Sequence, residues 1–541
     1  MKPTLILLTL ILTSCSLPST PMPTPITQSP NHSIFTLEQK IGQLMLVGFD
    51  GTTLTPEFRA VIQQLHIGGV IFYDRNVASP QQVAQLNADL QAAARANGDP
   101  LLFTAIDQEG GVVARLREDR GFTEFPGQMA VAATNDVENA RRIARALADE
   151  LNALGFNMDL TPDLDVNNNP DNPIISTRSF GADPARVATY GVAYIETLQR
   201  AGIIAIGKHF PGHGDTAIDS HAALPTVPHD RARLDAVELV PFRAAMRANV
   251  AGIMTAHITF PAIDPTPGLA ATLSPRVLKG LVRDEMHYDG LIMTDELTMG
   301  ALATSGYPAP RAAVAALRAG ADVLLFQTGY AMHREAHAAL VDAVKRGEIP
   351  EARVDEALRR VLRVKAQFGL MTKDEGRTPE ARVGLSETRA ISREVARQAV
   401  TLVRDEAQRV PLKPNTPLLV VETGAYGLGQ RLGAMTLQAK AQPTPSEITM
   451  VVNAAEGRTV IVLTSDVAKN RTQADLVNAL LKANAPLIVV AARSPYDLRA
   501  FPNAPTYLAI YGANPPMLDA LAEVLTGKIP ARGKLPVELK P

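Results

Sequence analysis

Between about residues 35 and 370 the chain repeats one pattern eight times: a short apolar run, then a longer amphipathic stretch. The runs fall at 44–49, 68–73, 101–107, 156–162, 203–209, 251–258, 291–295 and 321–326. Most are near-continuous Val, Ile, Leu, Phe and Met, as strands covered on both faces require. Between them apolar residues return at helical spacing, for example over 187–201. Alternating strand and helix implies a parallel sheet, and eight such units over this length suit a TIM (β/α)8 barrel with insertions better than an open sheet. Asp107, Asp163, Asp165, Lys208, His209, His257 and Asp295 fall at or just after the C-terminal ends of the runs. In a barrel those ends converge on one face, where active sites are built.

The remainder of the 541 residues divides around this barrel, expected over 34–370. A polar linker, 371–389, leads to a smaller three-layer α/β sandwich domain, 390–541, with strands expected at 417–422, 459–464, 486–492 and 506–511. A helix is expected over 391–403, before the first of these strands. The glycines at 424, 427 and 429 are spaced wrongly for a dinucleotide fingerprint. At the other end, Met1-Lys2, an apolar run at 5–12 and Thr13-Ser14 read as a secretory signal over 1–15, too short to span a bilayer. Leu12-Thr13-Ser14-Cys15 resembles a bacterial lipobox, which makes Cys15 the expected lipidation site. Residues 16–33, rich in Pro, Ser and Thr, read as a tether. The expected location is therefore the bacterial cell envelope, outside the cytoplasm and held to a membrane by the lipid alone. Cys15 is the single cysteine, so internal disulfides are excluded. A net charge of −2 without a long basic run gives no support to a nucleic-acid partner. Trp is absent, so any surface that stacks on a sugar must be Phe or Tyr.

The densest chemistry lies in Lys208-His209-Phe210-Pro211-Gly212-His213-Gly214-Asp215-Thr216, followed by Asp219-Ser220-His221. So many charged side chains are unlike packing, because burial of unpaired charge is costly. His209, His213, Asp215 and His221 could be drawn as a metal site, but Lys208 beside them would repel a cation, so no metal and no cofactor are expected. Asp219 and His221 point the same way in extended backbone. The carboxylate would then fix the imidazole tautomer and leave the other nitrogen to move a proton. Asp295 ends an apolar strand, where a carboxylate can attack an anomeric carbon. Glu296 is expected to face away from it. Taken singly, the His and the two Asp would also suit a loop and helix caps.

Together these segments resemble family 3 of the glycoside hydrolases, in its β-N-acetylglucosaminidase branch, from about residue 35 to the C-terminus. The resemblance is carried by Ala105-Ile106-Asp107-Gln108-Glu109-Gly110-Gly111, by 170–180 with Arg178-Ser179-Phe180, by 208–221, 254–261 and 294–297, and by Gly533-Lys534-Leu535-Pro536-Val537. It implies an exo-acting, retaining mechanism with Asp295 as nucleophile and His221, partnered by Asp219, as acid/base. Asp107, Arg178, Lys208, His209 and Met299 would bind the terminal sugar, with Arg178 toward the acetamido group. Arg178 and Lys208 would also hold Asp295 ionised, and Asp165 and His257 would lie behind the pocket. The substrate would be a terminal β-linked N-acetylglucosamine on a muropeptide or chitin fragment, cut by a monomer. A phosphorylase using the same residues, a β-glucosidase of the same family and an inert sugar-binding protein are the alternatives.

Overall fold

The computed structural model describes residues 35–220, 222–327, 329–371 and 382–539. The expected signal segment, Cys15, the tether and His221 lie outside the described residues. Among the described residues no helix is long and apolar enough to cross a membrane.

Eight parallel strands form the first sheet: β1 (Met45–Gly48), β2 (Gly69–Phe72), β3 (Phe103–Ile106), β4 (Met158–Asp159), β5 (Ile204–Phe210), β6 (Gly252–Thr255), β7 (Leu291–Thr294) and β8 (Leu324–Phe326). Each strand pairs with the next in sequence as far as β7, and β8 pairs with β1. An isolated parallel bridge from Met293 to Val323 joins β7 to the approach of β8, so the sheet closes into the expected barrel. Every strand residue is buried, which is why the runs show no polar alternation. The helix Pro184–Arg200 shows how the outer layer forms. Asp183 accepts from Ala185 N, Pro184 opens the first turn, and Val187, Tyr190, Tyr194 and Leu198 bury one face.

The strand expected over 156–162 is regular for only two residues. Pro162 has no N–H to give the ladder. Ile206 N still donates to Thr161 O (3.1 Å) and Lys208 N to Pro162 O (3.1 Å), so the chain stays alongside β5 as far as Asp163. Its side chains therefore reach the barrel mouth beside those of β5.

The second sheet has six strands: β9 (Thr401–Asp405), β10 (Leu418–Glu422), β11 (Met435–Gln438), β12 (Thr459–Thr464), β13 (Leu487–Ala491) and β14 (Thr506–Ala509). Their order is β11-β10-β12-β13-β14-β9, parallel except for the β14–β9 edge pair. Helices Ser386–Ala399 and Pro515–Leu525 pack together against it, as do Pro445–Ala454 and Thr472–Lys482. The helix expected over 391–403 ends at Ala399, because Thr401-Leu402-Val403 is β-branched and apolar and pairs as β9.

The two units are closely joined. Met129, Ala130 and Ala133 of the barrel helix Gln128–Ala133 lie in the core of the second unit. Arg142 pairs with Glu394 at 2.6 Å, and Ser392 Oγ donates to Glu124 O at 2.6 Å. The C-terminal segment returns to the barrel, with Lys534 N donating to Ala133 O (2.8 Å) and Ala182 N to Pro536 O (3.1 Å). Gly181 makes that approach possible: its φ is +139°, and a Cβ would stand 2.4 Å from Pro536 O. Tyr496 Oη donates to Asn167 O (3.0 Å) and Asn514 Nδ2 to Phe125 O (2.8 Å), which turns the loops after β13 and β14 toward the barrel mouth.

Candidate active site

At the C-terminal ends of the barrel strands the loops surround a cavity of about 500 Å³. Asp107 enters from the end of β3, Lys208 and His209 from β5, and Asp295 from the end of β7; Arg178 and Met299 complete the sugar-binding set expected from sequence. Tyr73, just past β2, supplies the aromatic wall that a chain without Trp must draw from Phe or Tyr, and the Arg75 guanidinium covers its ring at 4.6 Å.

Asp295 is fixed by the strands on either side. Its N–H donates to Thr255 O (3.2 Å) of β6, while Leu297 N donates to Leu325 O (3.0 Å) of β8. One carboxylate oxygen accepts from Glu296 N at 2.8 Å. Behind it His257 is fully buried, with Nε2 2.9 Å from Glu296 O and Nδ1 2.8 Å from Thr272 Oγ1.

Opposite stands a buried charge cluster. Lys208 Nζ lies 2.7 Å from both Asp107 and Glu109. Arg178 grips Glu109 through two bonds, Nε at 2.9 Å and Nη2 at 2.8 Å. Burial works against the Glu109 charge, but Arg178 and Lys208 outweigh it and hold the carboxyl below its ordinary range. Burial likewise opposes the Lys208 charge, and Asp107 and Glu109 overcome it, so its pKa is raised. Two cations are thus balanced by two carboxylates.

His209 is locked by the same logic. Its Nδ1 lies 2.7 Å from Asp165 Oδ2, and its Nε2 lies 3.3 Å from Arg178 Nη2, which can only donate. The proton therefore sits on Nδ1. Burial and the neighbouring Asp165 push Asp163 well up, whereas Asp165, also buried, is drawn down by His209.

The loop that carries Asp219 and Ser220, where the acid/base is expected, is held from within. Gly214 is pressed so closely on Val166 that a Cβ would lie 1.9 Å from its carbonyl oxygen. His213 is buried with Nδ1 2.9 Å from Thr216 Oγ1 and Nε2 3.0 Å from Ser220 Oγ. Burial pulls its pKa down to about 4, so it is a neutral strut at ordinary pH. Asn172 donates to the carbonyls of His213 (2.8 Å) and Gly214 (2.9 Å), tying this loop to the one that carries Arg178. Ser220 lines the cavity together with Asp295, and Asp219 is half-buried on the same loop.

The glycosyl hydrolase family 3 N terminal domain model matches residues 36–364, more than half of the chain. The chain belongs to glycosyl hydrolase family 3. The beta-hexosaminidase A of Pseudoalteromonas piscicida is 31% identical over 550 residues, covering 90% of this chain and 91% of its own. The beta-N-acetylglucosaminidase/beta-glucosidase of Cellulomonas fimi is 30% identical over 543 residues, covering 93% of each. Among solved structures, the family 3 beta-N-acetylglucosaminidase from Paenibacillus sp. str. FPU-7 superposes with a TM-score of 0.87 at 39% identity, covering 94% of this chain and 99% of that one.

In this family 3 hydrolase several details differ from the sequence reading. Glu296 does not face away from Asp295: both lie beyond the last residue of β7, where strand alternation has ended, and both line the cavity. The Glu296 carboxylate is occupied by Thr298 N (2.8 Å) and Gln327 N (3.0 Å). Arg178 and Lys208 also pair with Glu109 and Asp107, partners the sequence reading did not give them. The metal set that the sequence reading set aside has other partners here: Asp215 pairs with His229 at 2.7 Å, and both nitrogens of His213 face hydroxyls. Among the described residues two compact donor sets exist, Asp163, Asp165 and His209, and Asp215, His229 and Glu238; Arg178 Nε stands 3.8 Å from Asp163 and Arg233 Nη2 3.5 Å from Asp215, so a cation already faces each. Glu109, Asn172 and His213 are the organising residues that sequence reasoning left without roles.

Proposed function

We propose that this glycoside hydrolase is an exo-acting, retaining β-N-acetylglucosaminidase that removes terminal β-linked N-acetylglucosamine. The observation that carries the reading is that Asp295 and Ser220, the residue before His221, line one cavity with Asp107, Arg178, Lys208, His209 and Met299. The names of the long relatives support the acetamido sugar. In the first step an Asp295 oxygen attacks the anomeric carbon while the His221 imidazolium, stabilised by Asp219, gives its proton to the leaving oxygen. A glycosyl ester on Asp295 results. Neutral His221 then takes a proton from water, whose oxygen attacks the same carbon, and Asp295 leaves as carboxylate. Asp107 accepts from hydroxyls of the sugar, whereas Lys208 and Arg178 have donors to offer. The same proposal takes Cys15 as lipidated, on its lipobox residues, and the substrate as cell-wall or chitin fragments met outside the cytoplasm.

The test is hydrolysis of an aryl β-N-acetylglucosaminide beside the aryl β-glucoside, with and without phosphate. The acetamido sugar is expected to be cut faster. Asp295→Ala should lower kcat by about 10⁴-fold or more, as loss of a nucleophile does. His221→Ala should cost about 10²–10⁴-fold. Preference for the glucoside, or a sugar phosphate as product, would overturn the reading.

A further inference from the structure

Lys469 and Arg493 belong to the second unit, yet both line the cavity that holds Asp295. They follow β12 and β13, neighbouring parallel strands, at the C-terminal edge where such sheets collect ligands. Arg493 Nη1 lies 2.7 Å from Asp466, while its Nε is buried with no hydrogen-bond partner among the described residues. Lys469 is exposed and forms no salt bridge with a described residue. Two cations therefore share one carboxylate, leaving a positive excess and an unused donor.

A second cavity, about 840 Å³, adjoins the first between the two units and shares Pro173 and Lys469 with it. Arg471 and Arg499 also line it. Its carboxylates have partners: Asp466 meets Arg493, Asp171 lies 3.9 Å from Arg499, and Asp497 accepts from Thr464 Oγ1 and Val467 N. The acid/base loop spans both spaces, with His213 and Ser220 on the first and Ala217 on the second. A leaving oxygen must sit beside the acid of that loop, so the departing group runs from the first cavity past Lys469 into the second.

The geometry points to a leaving-group subsite built by the second unit, in which Lys469 and Arg493 bind a carboxylate on the departing sugar. This rests on the β-N-acetylglucosaminidase reading and selects within it. A neutral chitin residue offers no anion to these cations, whereas a sugar carrying an ether-linked lactate does. Cell-wall disaccharides are then preferred over chitin fragments.

The experiment compares kcat/KM of the full chain for N-acetylglucosaminyl-β-1,4-N-acetylmuramic acid and for N,N′-diacetylchitobiose, which differ only by the lactyl ether. The ratio is expected to favour the acidic disaccharide and to fall about tenfold in Lys469→Glu and in Arg493→Met, the size of one charged hydrogen bond. Added salt should lower the ratio in the parent through screening. Lys469 is exposed on a turn, so Lys469→Glu reports even where Arg493→Met perturbs folding. A ratio unmoved by Lys469→Glu overturns the subsite. So does formation of a sugar phosphate from added phosphate that Lys469→Glu abolishes, which would assign the cations to an attacking anion. A parent chain that cuts neither disaccharide nor any aryl N-acetylglucosaminide overturns the glycosidase reading itself.

Discussion

His213 shows what a single buried side chain does for this site. Between two hydroxyls and with almost no exposure, its imidazole stays neutral down to about pH 4. In the unfolded chain it takes up a proton below about pH 6.5, so the unfolded state binds more protons in this window. Stability is therefore present above about pH 6.5 and lost as pH falls toward 4. His213→Gln removes that titration. Denaturant unfolding across pH 4–6.5 should show the parent losing stability more steeply than the variant, by up to about 1.4 kcal/mol per pH unit. Parallel slopes would show that His213 does not titrate as its burial requires. In the sequence this residue is one His among three in a charged segment, and nothing local separates a strut from a metal ligand. Glu109 was hidden for the same reason, since the contact that gives it meaning is with Lys208 and Arg178, far along the chain.

At the scale of elements, the segment after β5 is shaped by close backbone contact. Gly214 touches Val166 where no side chain fits, and Asn172 fastens the loop from the other side. Gly214→Ala should leave the barrel folded, with unchanged far-ultraviolet circular dichroism, and lower kcat about 100-fold, as displacement of catalytic groups by about 1 Å does. Near-parental kcat would mean that the Asp219–His221 segment is positioned independently of Val166. The barrel strands were readable because each is a buried apolar run. β11 was not, because Met435–Gln438 is a largely exposed edge strand whose apolar and polar residues alternate over only four positions. The helix Pro445–Ala454 carried a signal that went unused: Thr444 and Glu447 form a capping box. β9 was absorbed into the preceding helix because its apolar residues continue the helical spacing until Val400 turns the chain extended.

Across the whole molecule, the second unit reaches the mouth of the barrel. Its core includes barrel residues, its C-terminal segment pairs with the barrel backbone, and its loops after β12 and β13 bring Lys469 and Arg493 to the cavity wall. The barrel, the second sheet and the strand-end residues were legible in the chain, but the joining of the two units was not, because it depends on contacts such as Gly181 with Pro536 that leave no local pattern. The proposed chemistry converges on one atom set, the Asp295 carboxylate, and the most direct measurement is to trap it. The chain is incubated with an activated 5-fluoro analogue of N-acetylglucosamine, digested and mapped by mass spectrometry. One sugar added to the peptide containing Asp295, and no adduct in Asp295→Asn, is the predicted result. A sugar carried by Glu296 instead, or an Asp295→Asn chain that still turns over and labels, would contradict Asp295 as the nucleophile.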